Sequence, residues 1–145
     1  MIALIQRVTD ATVIVENKEV ANIQQGILAL IGIEKHDDVQ AQEKLLKKLL
    51  AYRIFDDGKG HMNLNLQQVE GALLLVPQFT LAANTNSGLR PSFSEAAPPE
   101  FARQVFTDFV SKAQHHYDKI QSGIFGADMK VSLTNDGPVT FWLQT

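Results

Sequence analysis

Two short segments of this 145-residue sequence bring together residue types that could do chemistry, residues 77–80 (PQFT) and 135–140 (NDGPVT). Pro77 follows an apolar run, and proline normally marks the edge or the end of a strand because it has no N–H group. The backbone N–H groups of Phe79 and Thr80 would then be free to bind a carbonyl oxygen as it gains negative charge. The alternative is a core strand that ends in a loop, with Thr80 favoured by its β-propensity. These residues taken alone favour that alternative.

The second segment contains the dipeptide Gly137-Pro138. An X-Pro bond in a tight turn is where a cis peptide is most readily kept, since the trans preference is only about 0.5–1 kcal/mol. Glycine lacks a Cβ, so a ligand can approach the main chain closely. A cis unit could turn both carbonyl oxygens the same way and bind a protonated amine. The alternative is an ordinary hairpin turn.

Other catalytic motifs are missing from the sequence. Cysteine is absent, and the histidines are His36, His61, His115 and His116. The last two are adjacent, so on a helix they point about 100° apart and cannot share a metal ion. There is no nucleophile-elbow, phosphate-loop or dinucleotide-binding motif. We therefore expect no metal and no cofactor; if the protein is an enzyme, it works without the usual catalytic side chains.

Basic residues suggest two further contacts. Arg90, in the segment RPSF, is either a phosphate contact or part of an ordered turn. A second basic cluster consists of Lys44, Lys47, Lys48 and Arg53. Such a cluster is usually just a solvated helix face, but this one is also the best candidate surface for RNA. The net charge of −3 argues against a protein that coats nucleic acid non-specifically, and we expect no DNA partner.

The elements that must position these groups follow from the hydrophobic pattern. Runs of β-branched and apolar residues predict strands at residues 1–8, 11–16, 27–31, 72–76, 129–133 and 139–143. The first two are separated by a polar break at Thr9 and Asp10. The continuous runs 27–31 and 72–76 predict strands buried on both faces. The last two strands are predicted to flank a tight turn at residues 135–138.

Two main helices are predicted. Asp37 or Asp38 could cap the first, and Pro98-Pro99-Glu100 could open the second. The apolar stripe of the first helix consists of Val39, Leu45, Leu46, Leu49, Leu50 and Ile54. That of the second consists of Phe101, Val105, Phe106, Phe109, Val110 and Ala113. With no internal repeat or linker, residues 1–145 are predicted to form one α/β domain.

The composition limits the class of protein. Apolar residues make up 45% and charged residues 20% of the chain, an ordinary globular balance. The N-terminus does not have the pattern of a signal peptide, and the longest apolar runs are far too short to span a bilayer. We expect a soluble, cytoplasmic protein without a membrane partner.

Over its whole length the chain resembles the bacterial D-aminoacyl-tRNA deacylases, the D-tyrosyl-tRNA(Tyr) deacylase family. The resemblance rests on segments in the family's order: MIALIQRVTDATVIV, YRIFDDGKGHMNLN, QFTLAA, GLRPSFS and FGADMKVSLTNDGPVTFWLQT. Two of them contain its signature motifs, S-Q-F-T-L and N-x-G-P-V-T. Pro77 departs from the first motif because the family usually has serine there, so no role is assigned to that hydroxyl.

The resemblance implies a β/β/α layered fold with mixed sheets and a homodimer with active sites at the subunit interface. In that family the unit matching Gly137 and Pro138 is cis and binds substrate. It enters the neighbouring subunit's pocket, beside the segment that matches Gln78, Phe79 and Thr80. These three are the implied catalytic residues. Further matches are implied for Arg7, which would help to hold the Gly-Pro unit, and for Phe125 and Met129, where the family receives the terminal adenosine of tRNA.

The resemblance also implies an activity, hydrolysis of the ester of D-aminoacyl-tRNA and, by expectation, of glycyl-tRNA. The N–H groups of Phe79 and Thr80 would stabilise the oxyanion, and the carbonyls of Gly137 and Pro138 would hold the α-amine. An L side chain would collide with the Gly-Pro backbone. Two mechanisms are open. In one, Thr80 is the nucleophile; in the other, which is preferred, the 2′-hydroxyl of the tRNA helps to activate water. The rival functions are a non-catalytic tRNA-binding module and a general small-ester hydrolase.

Overall fold

The fold is built around one long strand, β1 (Ile2–Val15), in the computed structural model, which describes residues 1–86 and 88–145. The predicted break at Thr9 and Asp10 is wrong, because the strand continues through both residues. The pairing of β1 shifts its register beside this point, between Gln6 and Val8 and again between Val8 and Asp10. Thr9 and Asp10 therefore lie at an irregularity of β1, where their side chains are exposed, and they do not end the strand.

Three strands pair antiparallel with β1. Its first half pairs with β3 (Gly26–Gly32) and its second half with β2 (Lys18–Ile23), which the sequence pattern did not predict. The third, β8 (Lys130–Gln144), runs along almost the whole of β1. β1 therefore pairs with strands from both the N-terminal and the C-terminal part of the chain.

Parallel strands extend the sheet beyond β3. β6 (Ala72–Pro77) pairs parallel with β3, and β7 (Ile120–Ser122), which was also not predicted, pairs parallel with β6. The side chain of Gln121 on β7 then reaches β2, where it accepts from the N–H of Asn22 and donates to its carbonyl, both at 2.7 Å. This contact indicates that the sheet curls until its two ends meet.

The C-terminal part of the sheet contradicts the predicted turn between two strands. β8 is a single strand, and the chain does not reverse at residues 135–138. Both of its halves pair antiparallel with β1, so they run in the same direction. Between Asn135, opposite Val8, and Thr140, opposite Gln6, four residues of β8 face the single residue Arg7. Residues 136–139 therefore form a bulge that leaves the sheet, called here the 136–139 bulge.

The first helix, α1 (Val39–Ala51), is capped by Asp38, whose carboxylate accepts from the N–H of Ala41 at 2.8 Å. Asp37, the other predicted cap, is buried instead. The helix ends at Ala51, so Ile54 lies beyond it and reaches the core from an extended segment. Val39 is 56% exposed, because the helix begins outside the core.

The second helix, α2 (Pro99–His116), begins with a proline in its first turn, as predicted. Phe101 was assigned to its buried stripe but is 41% exposed. The buried residues are instead Ala102, Val105, Phe106, Phe109 and Ala113. Their spacing is that of one helical face.

Two apolar cores give the layers. One lies between the sheet and both helices, and it includes Ile27 and Leu73; the other lies on the opposite face of the sheet, and it includes Leu28 and Leu74. Adjacent residues of β3 and β6 enter different cores, so both strands are buried on both faces, as predicted. The layered α/β architecture is confirmed.

The remaining elements are short. β4 (Phe55–Asp56) pairs with β5 (Met62–Leu64), and a 3₁₀ turn (Phe79–Ala82) follows β6. Neither α1 nor α2, the α-helices of the described residues, combines the length and apolar character needed to cross a membrane.

Gly26 generates a prediction about stability. A Cβ at Gly26 would lie 1.9 Å from the carbonyl oxygen of Ala72, in the centre of the sheet. We expect Gly26→Ala to lower the free energy of unfolding by more than about 3 kcal/mol, because the backbone of β6 would have to move. Gly58→Ala is the matched control; Gly58 has φ +78° with nothing near its Cβ position, so strain of only about 1 kcal/mol is expected. Urea unfolding measures both, and equal losses would contradict the prediction.

Candidate active site

A cavity of about 450 Å³ opens where β6 ends, called here the β6-end cavity. It brings Gln78 and Phe79 together with Phe125 and Met129, four of the residues singled out in the sequence. Phe125 packs against the core under the helices and Met129 against the core on the other face of the sheet. The cavity therefore lies where the two cores meet.

The end of β6 creates free backbone donors at the cavity. Pro77 is the last residue of β6 that pairs with β3, and the N–H of Gln78 still donates to the carbonyl of Ile31 at 2.7 Å. The 3₁₀ turn begins directly afterwards, and the first N–H groups of such a turn have no acceptor within it. Among the described residues, the N–H groups of Phe79 and Thr80 accordingly have no hydrogen-bond partner.

Thr80 directly follows Phe79 but does not itself line the cavity, unlike its two predicted companions, Gln78 and Phe79. Its hydroxyl oxygen accepts a hydrogen bond of 2.5 Å from the side-chain amide of Gln78. An amide N–H can only donate, so it cannot remove the hydroxyl proton of Thr80. This contact orients the hydroxyl as a donor and does not activate it as a nucleophile.

The cavity wall is apolar and neutral. None of the described residues that line it carries a titratable side chain; they include Val76, Ala97, Pro99, Ala102 and Val131. The pKa shifts of this protein lie elsewhere: hydrogen bonds from the side chain of Asn63 and the N–H of Lys59 lower the pKa of Asp57, and burial raises that of Tyr117. Within residues 1–86 and 88–145, no three His, Cys, Asp or Glu side chains are grouped to hold a metal ion.

Gly123 shapes the cavity, which the sequence pattern did not reveal. A Cβ at this position would lie 2.7 Å from the sulfur of Met129 and 3.5 Å from Cδ of Pro77. The missing side chain lets Met129 lie against the end of β6. Gly123 stands in an unremarkable segment, so only the packing identifies it.

Arg103 is a second residue that the sequence did not reveal. From α2 its guanidinium carbon lies 5.1 Å from the ring centroid of Phe125, a cation–π contact. It also donates to the carbonyl of Phe125 at 3.4 Å. On a helix face Arg103 looked like any solvated residue, since the loop that it contacts is 22 residues away in sequence.

The 136–139 bulge is held by side chains on both sides. Arg7 donates to the carbonyl of Asp136 at 2.9 Å and to that of Ile54 at 2.7 Å. Asn135 accepts from the N–H of Val139 at 2.7 Å and donates to the hydroxyl of Thr140 at 3.0 Å. These contacts fix both ends of the bulge.

The tip of the bulge consists of Gly137 and Pro138, which are exposed and joined by a cis peptide bond. The pairing with β1 skips both, so their carbonyl oxygens are not used in the ladder. Gly137 has φ +145°, and a Cβ there would lie 2.7 Å from Cγ2 of Val139 and 3.2 Å from Nη2 of Arg7. Glycine is therefore required at this position.

Within one chain, the two predicted halves of the site are not brought together. Neither Gly137 nor Pro138 lines the β6-end cavity, and Arg7 does not line it either, as far as the described residues show. One half presents free backbone donors and an apolar cavity, whereas the other presents exposed backbone acceptors.

The two basic features lie outside the cavity. Arg90 is exposed, and it lies between Asn84 and Ser92, which are joined by paired backbone hydrogen bonds. The next residue, Phe93, packs against Phe79 with ring centroids 5.2 Å apart and ring planes tilted by 47°. Lys44, Lys47, Lys48 and Arg53 are exposed on or just after α1.

Comparison with known proteins identifies a family that matches almost the whole chain. A sequence model of the family described as D-Tyr-tRNA(Tyr) deacylase matches residues 4–144. A D-aminoacyl-tRNA deacylase of Francisella tularensis subsp. novicida is 55% identical over 97% of this chain and 97% of its own length. Another, of Photorhabdus laumondii, is 56% identical over 99% of both chains. The solved structure of a c-Myc DNA unwinding element binding protein is 35% identical, has a TM-score of 0.95, and covers 100% of this chain and 99% of its own.

Proposed function

The chain belongs to the D-Tyr-tRNA(Tyr) deacylase family, and on that premise we propose that it hydrolyses the ester of D-aminoacyl-tRNA to free D-amino acid and tRNA. The observation that carries the proposal is a pair of N–H groups, at Phe79 and Thr80, that have no partner among the described residues. They lie beside an apolar cavity whose described lining has no titratable side chain. An ester of this kind is already reactive, so the protein needs mainly to position it and to stabilise the oxyanion.

The β6-end cavity suits the terminal adenosine of the tRNA. Its volume of about 450 Å³ is in the range of small-molecule sites, and its wall offers the ring of Phe125 and the thioether of Met129 for stacking on a base. The ribose that carries the ester would then lie toward Gln78 and Phe79, at the other end of the cavity. The carbonyl of the ester would face the free N–H groups.

The 136–139 bulge supplies the complementary groups. The carbonyl oxygens of Gly137 and Pro138 would bind the α-ammonium of the aminoacyl group. With the ammonium and the carbonyl both held, a D side chain points to solvent and an L side chain collides with the backbone of the bulge. Glycine has no side chain to collide, so glycyl-tRNA is also a substrate under this proposal.

Under this proposal the bulge comes from a second copy of the chain, since none of its residues is among the described lining of the cavity of its own chain. β8 supports such a homodimer: among the described strands it pairs with β1 alone, so its other edge has free backbone groups. Trp142 on this strand is 51% exposed, which is unusual for tryptophan unless it is covered by a partner. Each site would then combine the cavity of one copy with the bulge of the other.

The partner and the compartment follow from the same chemistry. A substrate made and used in translation requires a cytoplasmic enzyme. The net charge of −3 disfavours non-specific binding of duplex DNA, because a broad positive surface is absent from such a composition. The enzyme would bind the end of one tRNA and would not bind along the length of nucleic acids.

A direct assay tests the function. We expect D-Tyr-tRNA to release free tyrosine at least about 100-fold faster than L-Tyr-tRNA, since a steric clash of a few kcal/mol separates the two. Glycyl-tRNA should also be hydrolysed. Binding of charged tRNA without turnover would favour a non-catalytic module, and turnover of simple tyrosine esters that lack RNA at a comparable rate would favour a general esterase.

The role of Thr80 is tested by two changes. We expect Thr80→Ala to retain activity within about fivefold, the loss of one hydrogen bond, because Gln78 only donates to Thr80 and no base activates it. A D-Tyr-tRNA that ends in 2′-deoxyadenosine should react at least about 100-fold more slowly with the wild type, because the 2′-hydroxyl helps to activate water. Full activity on the deoxy substrate would refute this mechanism, as would complete inactivity of Thr80→Ala.

The shared site is tested by complementation. Gly137→Ala distorts the bulge, and Ala127→Trp fills the cavity, so each variant alone should be inactive. Random mixing makes half of the dimers mixed, and each mixed dimer has one intact site of two, so roughly a quarter of wild-type activity should return. No recovery in verified mixed dimers, or an active monomer, would contradict the proposal.

A further inference from the structure

Phe125 separates two cavities. One is the β6-end cavity; the other, of about 420 Å³, lies along α2 and is called here the α2 cavity. Its lining includes polar side chains and one exposed apolar side chain: Arg103, Thr107, Ser111, Gln114, Ser122 and Ile124. The function proposed above assigns nothing to this second cavity.

Arg103 marks the boundary between the two cavities. Its guanidinium stacks on the ring of Phe125 and donates to the carbonyl of the same residue. A guanidinium has five N–H donors, so most of them are left for another acceptor. Among the described residues that line the α2 cavity, Arg103 carries the one charged side chain. The cavity is therefore suited to an anionic group at its rim.

A third cavity, also of about 420 Å³, borders the β6-end cavity on the other side, at Gly126 and Ala127. Its charged lining consists of Glu16, Asp128 and Lys130, two carboxylates against one ammonium. The net negative charge would repel a phosphate. A nucleic acid chain that leaves the β6-end cavity is therefore attracted to the α2 cavity and repelled from the third.

We propose that the α2 cavity binds the nucleotide that precedes the terminal adenosine of the tRNA, and that Arg103 binds the phosphodiester joining the two. The inference rests on the proposed function, in which the adenosine occupies the β6-end cavity. Arginine suits this position because its planar donors match phosphate oxygens in pairs. Ile124, 46% exposed, offers apolar surface to the pyrimidine, and Ser111 and Gln114 offer hydrogen bonds to its edge.

Two small substrates test the proposal, the D-tyrosyl esters of adenosine and of cytidylyl-(3′→5′)-adenosine. The wild type should have a kcat/KM at least about tenfold higher for the dinucleotide, and Arg103→Gln should reduce that ratio by roughly tenfold, about 1.4 kcal/mol. Arg103→Lys should restore part of it, since the positive charge is kept. If Arg103 merely held Phe125 in place, both substrates would lose equally, and an unchanged ratio would overturn the proposal.

The matched control is Lys130→Gln, in the third cavity, which should leave the ratio unchanged. A fall of the ratio in this variant, with no fall in Arg103→Gln, would overturn the proposal because the chain would leave on the other side. On full-length D-Tyr-tRNA, Arg103→Gln should raise KM with kcat retained, and an unchanged KM would count against it in the same way. Failure of the wild type on every D-tyrosyl substrate would instead refute the proposed function.

Discussion

A backbone N–H or C=O group in a β-sheet is free to bind a ligand only at an edge of the sheet or where the pairing of the strands is interrupted. Two such interruptions matter here: one lies at the β6-end cavity, and the other, the 136–139 bulge, lies apart from that cavity within one chain. At the end of β6, Pro77 ends the strand, and the N–H groups of Phe79 and Thr80 have no partner in the part of the chain that the structure describes. In β8, Gly137 and Pro138 leave the ladder with their carbonyls exposed. The first interruption offers donors and the second offers acceptors.

Packing holds both interruptions in place before any substrate binds. The donors follow Gln78, whose own N–H is fixed on β3, and the acceptors lie between Asn135 and Arg7, which hold the bulge against β1. Fixed dipoles in an apolar site stabilise charge without reorganisation, which is the usual way in which enzymes stabilise an oxyanion. The neutral lining of the cavity is consistent with this kind of chemistry.

Two errors of the sequence-based prediction share one cause. Thr9 and Asp10 looked like a break, and residues 135–138 looked like a hairpin turn, because polar and turn-forming residues usually end strands. In the fold, β1 and β8 are long partners, and the continuous pairing on either side carries both segments through. Local propensity describes one segment at a time, whereas pairing depends on residues more than 100 positions apart.

The sequence by itself determined the buried strands β3 and β6, the two helices with their N-terminal signals, and the two motifs that are proposed to carry the chemistry. These depend on hydrophobic period and on the backbone properties of proline and glycine. Only the tertiary structure decided that Phe125 and Met129 share a cavity with Gln78, that Gly123 makes room for Met129, and that the bulge lies apart from the cavity of its own chain. Such relations arise from contacts between distant segments, and no local pattern encodes them.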